Sequence, residues 1–186
     1  SVLQYDDVMN RQRELIYKQR NQVLDGHDIS ALIQKMIVDT ISETVEFYCP
    51  EKANHSEWNK SGLLAKYNIL LDMEDIENLD STEDITVVIL NKAQELYDRR
   101  LQEYGEPTIR EVERIGLLRN VDIRWMDHID AMDQLKRSMG LMSYGQKDPV
   151  IVFRDESLDM FEEMTNSIRE APVDFVLYTP IRKEEP

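Results

Sequence analysis

Apolar residues recur along this chain at the three-and-four spacing of helices that lay one face on a core. Strand-like alternation is almost absent, so the pattern predicts a nearly all-α fold. A first helix is expected over residues 3–24, stopped by Asp25-Gly26. Asp28 can cap a second, whose face of Ile29, Leu32, Ile33, Met36, Ile37, Ile41, Val45 and Tyr48 ends at Pro50. Residues 50–71 read as loop with a short helix near Leu63. Ser81 or Thr82 can cap a further helix that runs to Tyr104 and stops at Gly105 and Pro107. Thr108 and Glu111 then have the T-x-x-E spacing of a capping box. The helix they open carries Ile115, Leu118, Val121, Trp125, Ile129, Met132 and Met139 on one face. Unbroken to Met139 it would be about 48 Å long. A compact globule of this chain length is about 40 Å across, so an elongated body is expected. Gly140 and Gly145 interrupt the pattern. Pro149 restarts it with Val152, Leu158, Phe161, Met164 and Ile168, giving a helical hairpin with Tyr144 at its tip.

Composition narrows the chemistry. The 186 residues, 21.9 kDa and 41% hydrophobic content fit one domain or two small ones with a packed core. Cys49 is the only cysteine, which excludes an internal disulfide and a Cys-based zinc site and suits a reducing cytosol. No apolar run approaches the roughly 20 residues needed to cross a bilayer, and no signal peptide opens the chain, so a soluble chain is expected. A formal net charge of -15 and a pI near 4.6 argue against nucleic acid or anionic lipid as partners. The charge is uneven: residues 72–84 hold no Lys or Arg, whereas Lys136, Arg137 and Lys147 flank the hairpin tip. Such runs are mostly solvated faces; the sharper alternative is a tip that meets an acidic partner.

Catalytic patterns fail on detail. Residues 140–148, GLMSYGQKD, lack the G-K-[ST] ending of a phosphate loop, because Gln146 separates Gly145 from Lys147 and Asp148 replaces the hydroxyl residue. Asp127, His128, Asp130 and Asp133 share one helix without a metal-binding spacing, and His128 reads instead as a structural residue hydrogen-bonded to a neighbouring helix. The acidic run at residue 72 fails as a calcium loop at Ile76 and Glu77. His27 and His55 stand apart from any nucleophile. No catalytic constellation emerges, and an enzyme built on Asp127 to Asp133 ranks third among the readings.

Two separated blocks are more specific. The opening YDDVMNRQRELIYKQRNQVLDG covers residues 5–26. Later, Trp125, His128, Met132, Asp133 and Leu135 form W-x-x-H-x-x-x-M-D-x-L, Tyr144, Gln146, Asp148 and Pro149 form Y-x-Q-x-D-P, and MFEEM follows at 160–164. With these blocks the chain resembles the C-terminal half of the SecA family, the ATPases that drive preproteins through the bacterial Sec channel. The resemblance implies a helical scaffold over 1–27, a helical wing over 28–106, the second part of the scaffold with a two-helix finger over 107–172, and a C-terminal extension over 173–186.

By that resemblance Tyr144, with Met142, Ser143, Gln146 and Lys147 around it, contacts the moving polypeptide and the channel, while Trp125, His128 and Met132 are structural residues of the scaffold. An exposed tyrosine can hold many sequences without selecting one, since it offers both an apolar face and a hydroxyl. The resemblance implies no cofactor in this stretch. ATP and magnesium would be held by motor domains of a parent chain, with a SecYEG-type channel and preproteins as partners. It also implies a cytoplasmic place, with indirect membrane contact at the inner face of the plasma membrane. Departures point to a divergent or accessory member: Met142 stands where arginine is usual, Val152-Phe153 where Glu-Tyr is usual, and Pro172 where the second finger helix would continue. The alternative function is a free-standing helical adaptor that binds one partner.

Overall fold

The computed structural model describes residues 2–25, 29–140 and 148–182, and among these there are helices and no strand. In chain order they are α1 (Val2–Leu24), α2 (Ile29–Tyr48), a 3-10 turn (His55–Glu57), α3 (Lys60–Lys66), α4 (Met73–Ile76), α5 (Thr82–Tyr104), α6 (Glu106–Met139), α7 (Pro149–Ser167) and α8 (Glu170–Tyr178). The all-α expectation holds. The chain divides into two compact units: Ser1–Ile29 with Arg114–Pro172, and Ser30–Glu113 with Val173–Pro186.

In the first unit α1 packs on α7, and α6 closes the core. The apolar faces differ in detail from the periodicity expected. On α6 the buried positions are Leu117, Val121, Trp125, His128, Met132 and Met139, whereas Ile115 is 39% exposed. On α7 they are Phe153, Ser157, Phe161 and Met164, with Ile168 just past its end, and Leu158 is 51% exposed. Gln12 and Ser157, both polar, hold core positions that an apolar pattern cannot announce. Phe153 is wholly buried and stacks edge-on against Tyr5 at 4.8 Å, so the residue that departs from the family pattern is a core residue here.

In the second unit α2 contributes Ile33, Ile37, Ile41 and Val45, and α5 contributes Ile85, Ile89, Ala93 and Tyr97, each face repeating every fourth residue. Leu32, expected on the first of these faces, is 41% exposed. Ser81 caps α5 by accepting from the Asp84 amide at 3.3 Å. Gly62 lets α3 come close to α2: a Cβ there would stand 2.6 Å from the Tyr48 ring. Lys60 ties down the acidic stretch, its ammonium donating to the Glu77 and Leu79 carbonyls at 3.1 and 2.5 Å. Segment 173–182 joins the same unit through buried Val173, Val176 and Leu177 and through Arg100, which donates to the Thr179 carbonyl at 2.6 Å.

Two local expectations are corrected. Thr108 and Glu111 lie inside α6, which begins at Glu106, so they form no cap. Gly105, with φ +84°, turns the chain in one residue, and Pro107 suits a first helical turn, whose amides lack intrahelical partners anyway. Pro172 likewise does not interrupt the second hairpin helix. α7 ends at Ser167 and Pro172 sits in the first turn of α8. The proposed cap Asp28 lies outside the described residues.

Missed by periodicity is the carboxylate of Glu113, wholly buried in the second unit. Arg110 donates to it at 2.5 Å and Tyr97 at 3.4 Å, and Arg110 also donates to the Tyr97 hydroxyl at 3.1 Å. Burial first, with the Glu113 charge also acting to raise it, pushes the Tyr97 phenol up, so it remains a donor at neutral pH.

Candidate functional site

The hairpin of the first unit is built from the C-terminal part of α6 and from α7, with α1 laid along both. Asp148 accepts from the Val150 amide at 3.0 Å, and Pro149 follows at the first helical position, so α7 starts where its sequence signals place it. α6 ends at Met139, and Gly140 donates to the Arg137 carbonyl at 3.2 Å. The tip candidates Met142, Ser143, Tyr144, Gln146 and Lys147 lie outside the described residues. What the structure describes is the base that carries them.

That base has two apolar layers. The one next to the tip contains Met132, Met139 and Phe153, with Tyr5, Val8, Met9, Leu135, Val152 and Met160 around them. The one farther away contains Ile16, Val121, Trp125, Phe161, Met164 and Ile168, with Ile129 packed against it. Between them lies a polar layer. His128 Nε2 stands 2.7 Å from Gln12 Oε1, and Gln12 Nε2 donates to the Ser157 carbonyl at 3.3 Å. A carbonyl cannot donate, so the Gln12 amide group must face Ser157 and its oxygen must face His128. The proton therefore sits on His128 Nε2. Trp125 and Phe161 flank the imidazole, each with its ring centre 5.6 Å away, and burial pushes its pKa below the ordinary value.

Trp125, His128 and Met132 are thus 6%, 4% and 1% exposed and meet in this core. Asp127, Asp130 and Asp133, on the same helix, point to solvent, and among the described residues no His, Cys, Asp or Glu cluster could hold a metal ion. Ion pairs line the outside: Arg20 donates to Asp122 at 2.9 Å, and Lys136 lies 3.7 Å from Asp6 and over the Tyr5 ring. Gln12 and Ser157 were not foreseen. Their signal, visible only in hindsight, is a polar residue one helical turn from apolar neighbours on both sides.

The second unit has an open groove of about 580 Å³ beside Trp58, lined by Glu51, Asp80 and Glu83 among others. Trp58 is held there by donating to the Pro50 carbonyl at 2.8 Å and by the His55 ring, tilted against it with centres 4.3 Å apart. No described helix is long and apolar enough to cross a membrane.

Comparison with known proteins gives a consistent match. Residues 1–179 fit the family described as the SecA wing and scaffold domain. The protein translocase subunit SecA of Carboxydothermus hydrogenoformans is 42% identical over 181 residues, which cover 95% of this chain and 21% of that protein. The corresponding subunit of Desulforamulus reducens is 42% identical over 180 residues, 94% of this chain and 21% of its own. SecA 1 of Clostridioides difficile is 41% identical over 192 residues, 98% of this chain and 21% of its own. The chain spans about a fifth of the length of these relatives.

Proposed function

The chain belongs to the SecA wing and scaffold domain family, and from that membership we propose that it is the non-catalytic part of a SecA-type ATPase that couples ATP hydrolysis to preprotein movement through a Sec channel. The observation that carries the reading is the match over residues 1–179, which includes both the opening helix and the whole hairpin. The packing supports it. Three helices share one core around Trp125, His128 and Met132, so a displacement applied to α6 is passed to α7 and α1 without loss in a soft joint.

In this reading the second unit contains the wing, and the hairpin is the two-helix finger. Tyr144, with Met142, Ser143, Gln146 and Lys147, grips the polypeptide at the channel mouth. ATP and magnesium are bound by motor domains of the parent chain, and this stretch alone does not hydrolyse ATP. The parent is cytoplasmic and works at the inner face of the bacterial plasma membrane.

The test places a photocrosslinking residue at Tyr144 in the full-length parent and stalls a preprotein during ATP-driven transport. Crosslinks to preprotein and channel that need ATP are expected, and Tyr144→Ala should slow transport while leaving helicity unchanged. Crosslinks confined to the protein itself, with or without ATP, would overturn the grip.

A further inference from the structure

The two apolar layers of the first unit are poor at setting register. The tip-side layer is rich in methionine, with Met9, Met132, Met139 and Met160 beside Val8, Leu135 and Val152. Flexible thioethers and aliphatic side chains of similar volume refit after a slip of one helical turn, because such packing constrains volume more than identity. The polar layer cannot refit. On α1, Gln12 lies between Met9 and Ile16; on α6, His128 lies between Trp125 and Met132; on α7, Ser157 lies between Phe153 and Phe161. Sliding either hairpin helix by a turn against α1 would bring His128 or Gln12 opposite an apolar layer and leave a buried donor and acceptor without partners.

We propose that the Gln12–His128–Ser157 layer is a register lock, in which Gln12 and His128 are positioning residues that set how far α6 and α7 extend past α1, and hence where the hairpin tip stands. A single polar position in an otherwise apolar helical seam sets register in the same way, at some cost in stability. Gln12 is the connector, since it accepts from His128 and donates to Ser157 at once. Ser157 leaves room for this. It is wholly buried, and its hydroxyl is turned back on the Arg154 carbonyl at 3.0 Å, so only its own carbonyl faces Gln12. The consequence at the tip rests on the translocation reading; the lock itself does not.

The experiment measures electron-spin distances in the full chain with labels at Asp7→Cys on α1 and Glu163→Cys on α7, exposed positions on opposite sides of the polar layer, so that a slide along the helices changes their separation. Native Cys49 is wholly buried. The unsubstituted layer should give one narrow distance. The Gln12→Leu/His128→Leu variant should keep its helicity and its unfolding midpoint or gain in it, yet show a second distance displaced by about 4 Å, most of the rise of one helical turn. His128→Gln, which can still donate to Gln12, should restore the single distance. If the double variant does not fold, Gln12→Met is measured in the same way. One narrow, unchanged distance in the apolar variant overturns the lock. The same variant is then tested for ATP-driven preprotein transport in the full-length parent. A displaced distance with unimpaired transport keeps the lock and rejects the finger reading.

Discussion

Trp125 is 6% exposed in the core of the first unit, next to His128, so its ring cannot be removed without leaving a void. Trp125→Ala should cost about 3–5 kcal/mol. Met126, the next residue, is 66% exposed, and Met126→Ala should change stability by less than about 0.5 kcal/mol. Urea unfolding of the two variants checks the pair, and equal losses would sink the assignment of this face. At His128 the expectation concerns pH. Burial holds its folded pKa below the ordinary value of 6.5, so the unfolded chain takes up a proton first as pH falls. Its contribution is therefore complete above about pH 6.5 and is lost as pH drops toward the lower folded value. Unfolding midpoints at pH 7.5 and 5.5 should differ more for the natural chain than for His128→Gln. Aromatic and amide groups surround the imidazole, with no ionised partner among its described contacts to reverse that sign.

Among the elements, the one-residue connection between α5 and α6 depends most on a single backbone conformation. Gly105 has φ +84° and ψ 157°, a region that L side chains rarely adopt. Gly105→Ala should destabilise by about 1–3 kcal/mol. Gly140→Ala, where among the described residues the new Cβ would meet only the Arg137 carbonyl at 3.4 Å, should cost much less, and thermal unfolding distinguishes them. Helix starts and stops were readable wherever one residue settles the matter locally, as at Ser81, Gly105 and Pro149. They were misread where the same signal has two uses. T-x-x-E at Thr108 looks like a cap, but those residues continue a helix already begun by the turn at Gly105. Face assignments failed for a similar reason. Leu32, Ile115 and Leu158 are as apolar as their buried neighbours, and only the neighbouring helix decides which of two adjacent stripes is covered.

For the whole molecule, the chain composes each unit from distant segments. Residues 173–186 belong with 30–113, and Leu177 is 2% exposed within that unit. Leu177→Ala should cost about 2–5 kcal/mol and speed amide exchange at Ile85 and Ile89, the core of α5 in the same unit. Unchanged exchange there, with α8 alone loosened, would show that the segment merely rests on the unit. The sequence by itself determined the all-α class, the long helices α1, α2 and α5 and the family, because each follows from periodicity, local turn chemistry or motif spacing along the chain. The tertiary structure alone decided that Gln12, His128 and Ser157 form one polar layer, that Glu113 is buried against Arg110 and Tyr97, and that the last helix joins the second unit from Val173 onward. Those pairings join residues up to 145 positions apart, and a buried polar group is stable only where its partner arrives in three dimensions.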